Sequence, residues 1–273
     1  MITVTGLYTY PVKSCRGIAL PAATVSSRGL PYDREWMVVD ENGVFLAQRT
    51  LPRMALVSTA LSDDSLILSA PGAEVPLVIP LARNHKSTRQ VRVWRDDCAA
   101  FDEGNEAASW FSTLLERPCR LVRFAPMQRR LSAHEWTGGL DAENQFSDGY
   151  PILIISEESL EELNRRLDEP LPMNRFRPNV VLRGLGAHGE DHVRTLTQGG
   201  LELRLVKPCD RCRITTTDQH TGEVGKEPLR TLATYRRDAT LGGVTFGMNA
   251  IVAQGFGQVL TIGAELQAPP ALP

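Results

Sequence analysis

The spacing of apolar residues in the first third of the chain predicts a small β-domain. Before residue 95 the apolar residues form short runs separated by turn residues, a pattern typical of strands in a barrel or sandwich. The runs cover residues 2–8, 36–39, 56–60, 66–68, 75–79 and 91–94. We therefore expect several short strands here.

The period then changes and predicts one amphipathic helix over residues 106–116. Its apolar residues recur at helical spacing, and Pro118 ends the pattern. These residues are Ala107, Trp110, Phe111, Leu114 and Leu115. The polar stretch 125–144, which contains Gly138-Gly139, predicts a long loop at a domain seam.

The second half begins with the apolar run 152–155, which predicts a buried strand. Ser156 can cap a following helix, with Leu160, Leu163 and Leu167 on one face and arginines at its end. Further strands are predicted at 180–182, 201–206, 214–217, 244–252 and 259–262, with a helix whose first position is Pro228. The fold class is α+β with β dominant, because strands and helices do not alternate as in a doubly wound sheet.

The chain length and the net charge limit the kinds of protein that this sequence can encode. A chain of 273 residues is typical of two domains. Thirty basic and 32 acidic residues give a formal charge of -2, so no overall field favours nucleic acid or an anionic membrane. Any anion site must therefore be local.

The N-terminus shows no targeting pattern, and no apolar run reaches the roughly 18 residues that a membrane helix needs. Five cysteines, of which Cys15, Cys98 and Cys119 are widely spaced, fit a reducing compartment. We expect a cytoplasmic protein without a membrane partner.

The most informative motif is Cys-Asp-Arg-Cys at residues 209–212. A zinc site needs two more ligands, and the order and spacing of His188 and His192 fit no familiar zinc module. A thioredoxin-like redox pair would begin a helix, whereas the β-branched residues after the motif favour a strand. The sequence therefore supports neither a zinc site nor a redox pair at this motif.

Two interpretations of this motif remain open. Inert buried thiols are the commonest role of such cysteines. However, Lys207, Arg211 and Arg213 put positive charge beside the sulfurs, which favours the thiolate that binds soft metals.

Basic residues beside turns are candidate phosphate ligands. Lys13 follows Pro11, Arg34 lies in the segment 32–36 and Arg177 in the segment 174–179. Each alone is more commonly a solvated surface charge. Asp148, before the buried strand, either belongs to a turn or lines a site.

The glycine pattern at residues 184–189 matches a dinucleotide-binding motif but predicts a surface loop. Such a site requires a helix that starts at the glycines and an acidic residue about twenty positions later. Only a short polar stretch separates this segment from Gly199-Gly200, and Glu202 lies inside the next predicted strand.

Taken together, these motifs resemble the MOSC superfamily in its two-domain branch, which includes amidoxime-reducing and hydroxylaminopurine-detoxifying proteins. The resemblance covers nearly the whole chain. It depends on YPVKSCRG at 10–17, YDREW at 32–36, SDGYPILIISEESL at 147–160, NRFRPN at 174–179, CDRCRITTTD at 209–218 and KEPLRTL at 226–232.

The resemblance implies an N-terminal β-barrel domain over residues 1–122, a catalytic MOSC domain over 123–267 and a pyranopterin molybdenum cofactor between them. It places the metal-binding thiolate at Cys212 and counts Asp148 with it as a catalytic residue. The implied cofactor-binding residues are Lys13, Ser14 and Arg34 at the phosphate, Arg177 and Asn179 nearer the pterin, and Asp148, Arg211 and Cys212.

The implied reaction is the reduction of an N-hydroxylated compound, such as an amidoxime or a hydroxylamino base, to the amine and water. The sequence contains no plant-type ferredoxin cysteine set after the MOSC region, so electrons are expected from a separate flavin, haem or iron-sulfur protein. The rival function is a non-catalytic carrier of the cofactor, or of sulfur as a persulfide on Cys212.

Overall fold

The computed structural model describes residues 1–82 and 88–269. Its strands are β1 (Ile2–Thr9), β2 (Ile18–Ala19), β3 (Ala22–Thr24), β4 (Trp36–Val39), β5 (Ser58–Leu61), β6 (Ser65–Ser69), β7 (Leu77–Pro80), β8 (Thr88–Val93), β9 (Asp96–Asp102), β10 (Arg120–Phe124), β11 (Ile152–Ser156), β12 (Val180–Arg183), β13 (Thr195–Gln198), β14 (Leu201–Asp210), β15 (Arg237–Asp238), β16 (Gly243–Gln254), β17 (Val259–Thr261) and β18 (Glu265–Leu266). The α-helices are α1 (Asn105–Leu115), α2 (His134–Thr137), α3 (Glu157–Asn164) and α4 (Leu229–Leu232).

Two antiparallel sheets form the body of the first half. One has the strand order β4-β10-β9-β8, and the other has the order β5-β6-β7. The apolar face of α1 packs between them, with Phe111 fully buried beside Trp36 and Leu66 in one core. This half therefore has its own hydrophobic core, as the short strands and the single amphipathic helix predicted.

A nine-stranded sheet forms the second half, in the order β13-β14-β16-β11-β12-β1-β18 with β15 and β2 at its side. β11 pairs in parallel with β12 and antiparallel with β16, so it lies in the centre of the sheet. Every residue of β11 is buried. This confirms the prediction of a strand covered on both faces.

The first strand of the chain belongs to this second sheet. β1 pairs with β12 along one edge and with β18 along the other. β3 also pairs with β17 near the C-terminus. The division after residue 122 stays a prediction. β1 and β3 pair with strands of the second half, whereas Val12 and Cys15 between them pack in the core of the first half.

Most sequence-based elements agree with the structure in type and place, including the β-dominant fold class. Ser156 caps α3, and its side chain accepts a hydrogen bond from the backbone N–H of Ser159. That helix ends at Asn164, so Leu167 lies beyond it. α4 is one turn long, with Pro228 at the position before it.

Seven strands were missed: β2, β3, β9, β10, β13, β15 and β18. The predicted strand at 214–217 is wrong, because Arg213–Thr216 forms a 3-10 helix. The side chains of Thr215 and Thr216 donate to the carbonyls of Cys212 and Arg213, three residues back in each case. These local hydrogen bonds outweigh the β-propensity of the segment.

The glycine-rich segment 184–189 is a surface turn, as predicted, followed by a four-residue 3-10 helix (Gly189–His192). Within residues 1–82 and 88–269, no helix has the length and apolar character required to cross a membrane.

Candidate functional site

One cavity lies where loops from both halves of the chain meet. All eight residues proposed for the site line it: Lys13, Ser14, Arg34, Asp148, Arg177, Asn179, Arg211 and Cys212. They come from five separate segments, and about 200 positions of the sequence separate the first from the last. The basic side chains therefore belong to one site and are not scattered surface charges.

Three of these residues have backbones in the left-handed region. The φ angles are 69° at Ser14, 47° at Arg34 and 58° at Arg177. A left-handed residue other than glycine costs about 1–3 kcal/mol and persists only where the surroundings hold it. The concentration of such residues at one cavity is typical of a functional site.

Tyr10 holds two arginines in place on its ring. The guanidinium carbons of Arg34 and Arg177 each lie 4.3 Å from the ring centroid. The Tyr10 hydroxyl donates to the carbonyl of Pro178 at 3.0 Å, and burial raises the pKa of this phenol. A neutral aromatic ring thus supports two positive charges that repel each other.

The repulsion is only partly neutralised. Both carboxylate oxygens of Asp33 accept hydrogen bonds from Arg34, at 2.7 and 2.6 Å. Arg177 makes a hydrogen bond to the carbonyl of Cys15, and burial together with the charge of Arg34 lowers its pKa to about 10. Positive charge without a matching acid indicates a place for an anion.

Asn179 fixes the geometry of this basic pair. Its amide nitrogen donates to Asp33 at 2.9 Å and to the carbonyl of Tyr8 at 3.1 Å. Its amide oxygen accepts from Arg34 at 3.2 Å and from the backbone of Leu153 at 3.1 Å. Asn179 therefore acts through its neighbours and links β1, β11 and the arginines.

Lys13 and Asp148 form an ion pair across the two halves. The ammonium lies 2.5 Å from Asp148 Oδ1 and also donates to the carbonyl of Phe146 at 2.8 Å. Burial lowers the pKa of Lys13, and the attraction of Asp148 opposes this effect only in part.

The Asp148 carboxyl is held in its ionised form. Burial alone would raise its pKa, but the charge and hydrogen bond of Lys13, with a hydrogen bond from Trp94, lower it far below its usual range. The side chain lines the cavity and is 58% exposed to solvent. Asp148 is therefore suited to accept hydrogen bonds and unsuited to donate a proton near neutral pH.

The two cysteines of the 209–212 motif have different surroundings. Cys209 lies within β14 and accepts a hydrogen bond from the Arg211 guanidinium at 2.9 Å. Burial nevertheless raises the pKa of the Cys209 thiol, so the expected thiolate-favouring field fails at this sulfur. Cys212 is exposed and precedes the 3-10 turn.

This arrangement also differs from a thioredoxin-like pair, because the first cysteine lies in a strand and only the second begins a turn. The reason given from sequence, a strand after the motif, was wrong. His188 packs against the rings of Tyr235 and Phe246 and does not line the cavity. The described parts of the chain contain no cluster of three metal-binding side chains of the His, Cys, Asp or Glu type.

Sequence reasoning missed several residues of the site. Tyr150, Phe176 and Asn249 line the cavity. Burial raises the pKa of Tyr150 to about 12, so its hydroxyl keeps the proton at neutral pH. Asp33 and Trp94 support residues that line the cavity. Asp33 accepts hydrogen bonds from Arg34 and Asn179, and Trp94 donates one to Asp148. Asp33 was visible in the sequence only as a neighbour of Arg34.

The residues present fit a molybdenum cofactor with a phosphate group. In this cavity the positive charge of the basic side chains exceeds the negative charge of the acidic ones, which suits a phosphate group. The cavity also contains an exposed thiol, and thiolates are ligands for soft metals. In addition, Arg211 Nε is buried without a hydrogen-bond partner in the described part of the chain. A buried donor of this kind commonly marks a ligand that satisfies it.

Comparison with known proteins agrees with this picture. Residues 1–118 match the MOSC N-terminal beta barrel domain, and residues 141–266 match the MOSC domain. The chain belongs to the MOSC family in its two-domain form.

Among its relatives are mitochondrial amidoxime-reducing components. The chain is 39% identical over 244 residues to component 1 of Mus musculus, covering 86% of this chain and 71% of the relative. It is also 39% identical to component 2 of Bos taurus, covering 86% and 72%. The molybdenum cofactor sulfurase of Homo sapiens is 32% identical over 265 residues, covering 90% of this chain but 29% of that longer protein.

Proposed function

We propose that this chain is a molybdenum-cofactor-dependent reductase of N-hydroxylated compounds. The proposal depends on one observation. A single cavity contains an exposed thiol, Cys212, and a cluster of basic side chains that outnumber their acidic partners. The names of the relatives support an N-reductive activity in the family. The expected substrates are amidoximes and hydroxylamino bases.

In this proposal each residue has a task that its surroundings allow. Cys212 supplies the thiolate ligand to the metal, and Lys13, Ser14 and Arg34 bind the phosphate. Arg177 and Arg211 hold the pterin end, and Asn179 keeps Arg34 and Asp33 in place beside them. When bound, the cofactor supplies the transfer of two electrons with an oxygen atom.

The overall change balances as an N–OH compound plus two electrons and two protons giving the N–H compound and water. Asp148 orients the substrate as a hydrogen-bond acceptor, because its lowered pKa keeps it ionised. The electrons come from a separate flavin, haem or iron-sulfur protein. We place the protein in the cytoplasm, without a membrane or nucleic-acid partner.

A carrier role is the second candidate. The exposure of Cys212 and the likeness to a molybdenum cofactor sulfurase favour a thiol that holds the cofactor or a persulfide for another enzyme. Such a protein would bind the same group and would not turn over a substrate.

One experiment separates the two functions. The protein is purified from a host that makes the cofactor, its molybdenum is measured by mass spectrometry, and benzamidoxime reduction is assayed with reduced viologen. We expect metal near one per chain together with turnover. Metal without turnover supports a cofactor carrier, whereas absence of metal contradicts both the reductase and the cofactor carrier and leaves the persulfide carrier.

A further inference from the structure

Trp94 brings a hydrogen-bond donor from the first half of the chain to Asp148, which lines the cavity. It is the first residue of the two-residue loop between β8 and β9, and its backbone is left-handed with φ 57°. Its indole N–H donates to Asp148 Oδ1 at 2.9 Å. A strained aromatic residue at a hairpin tip, bonded to a cavity carboxylate, indicates a task at that cavity.

The tryptophan is itself held firmly. Its ring centroid lies 5.1 Å from that of Phe45, and the guanidinium carbon of Arg49 lies 4.3 Å from its ring centroid. The Phe45 backbone N–H donates to the carbonyl of Arg92 in β8 at 3.1 Å, which ties this support to the hairpin. Trp94 therefore reaches Asp148 from a fixed position.

Both donors to Asp148 use the same oxygen. Lys13 and Trp94 bind Oδ1, and no hydrogen bond from the described residues reaches Oδ2. Oδ2 therefore keeps acceptor capacity that no described side chain uses, on a side chain that is 58% exposed and lines the cavity. Two donors on one oxygen also fix the rotation of the carboxylate and hence the direction of the other oxygen.

We propose that Trp94 is a positioning residue that directs Asp148 Oδ2 toward the N–H group beside the N–O bond of the substrate. The inference rests on the proposed function and adds a rule of selectivity to it. Amidoximes and hydroxylamino bases that carry an N–H donor are favoured, whereas analogues alkylated at that nitrogen leave Oδ2 unpaired. An enzyme can discriminate strongly between two such substrates, because the poorer one leaves a hydrogen-bond acceptor of the site without a donor.

The test compares benzamidoxime with its N,N-dimethyl analogue in the loaded protein. We expect the wild type to prefer benzamidoxime in kcat/KM. Trp94→Phe removes the N–H and keeps a ring, so KM for benzamidoxime should rise about tenfold with a smaller change in kcat, as expected for a hydrogen bond to a charged group. The preference over the dimethyl analogue should fall by a similar factor, and the molybdenum content should not change.

Two further variants make the result specific. Trp94→His restores a ring N–H and should recover part of the preference. Trp110→Phe is the matched control, because Trp110 also donates its indole N–H, to the carbonyl of Val75 on a different surface. An unchanged preference in Trp94→Phe, or an equal loss in Trp110→Phe, overturns the inference while wild-type turnover of benzamidoxime keeps the proposed function. Loaded wild type that reduces neither compound overturns the function, and the inference with it.

Discussion

Arg34 and Arg177 lie on the ring of Tyr10, each with its guanidinium carbon 4.3 Å from the ring centroid, although both side chains are positively charged. The pKa of Arg177 is lowered to about 10 by burial and by the charge of Arg34. The pair therefore costs folding free energy until an anion lies beside it. Four predictions follow from this and from other contacts of the site, each with its own measurement.

Inorganic phosphate should stabilise the cofactor-free protein more than chloride at equal ionic strength. At a concentration ten times the dissociation constant, binding adds about 1.4 kcal/mol, or about 2–4 °C in Tm for a chain of this size. Thermal unfolding of protein from a host without the cofactor measures this shift. Arg177→Met should unfold at a higher temperature in chloride and gain less from phosphate. Equal shifts in both proteins would show that phosphate binds elsewhere.

Cys212→Ala should lose bound molybdenum and activity, and Cys209→Ala should keep most of both. The reason is that Cys212 is exposed at the cavity, whereas Cys209 lies in β14 with a raised pKa and Arg211 as its partner. Metal analysis and benzamidoxime turnover are measured on both variants. If they lose metal equally, the assignment of the ligand to the second cysteine is wrong.

Lys13→Met should weaken cofactor retention about tenfold or more, because a hydrogen bond to a charged group contributes about 1.5–3 kcal/mol. The change also removes the main charge that holds the pKa of Asp148 low. Retention is measured as molybdenum that remains after gel filtration. Lys226→Met, at an exposed position after the site motif, is the matched control and should retain the wild-type amount. Full retention in Lys13→Met would contradict a phosphate contact.

The pH dependence of stability should include a contribution from Glu190. This carboxylate accepts hydrogen bonds from the hydroxyls of Ser156 and Ser159, yet burial raises its pKa. A raised folded-state pKa contributes stability that is fully present below the unfolded value of about 4.3 and is lost as the pH rises through the folded value.

Glu190→Gln should therefore flatten the decline in unfolding free energy from about pH 4.3 toward neutrality, since the glutamine does not ionise. Urea unfolding at several pH values measures this slope. Asp191→Asn is a comparison at the neighbouring residue, whose carboxylate pairs with Arg236. A slope in Glu190→Gln as steep as in the wild type would assign the pH dependence to other groups.

The sequence predicted the fold class because its main elements have strong local signals, whereas the candidate site residues came from a resemblance to a known family. The continuous apolar run of β11 and the helical spacing of α1 each bury a contiguous surface, so their patterns remain visible without tertiary information. That resemblance depends on an ordered set of motifs, in which each basic residue lies beside a turn.

The errors arose where tertiary or side-chain contacts decide the structure. The threonines after Cys212 bond to backbone carbonyls three residues earlier and form a 3-10 turn despite their β-propensity. Trp94 was counted as the end of a strand, yet it lies in the hairpin loop and binds a carboxylate 54 residues away. The pattern of apolar residues cannot predict such a contact, because the contact depends on how the two halves of the chain pack together.

The position of β1 between β12 and β18 has a consequence for biosynthesis. β1 finds its sheet partners only after β12 and β18, far along the chain, have been made. A fragment that starts at residue 123 would expose two unpaired strand edges and would lack Lys13, Ser14 and Arg34. The second half therefore depends on the N-terminal segment both to complete its sheet and to supply three of the residues that line the cavity.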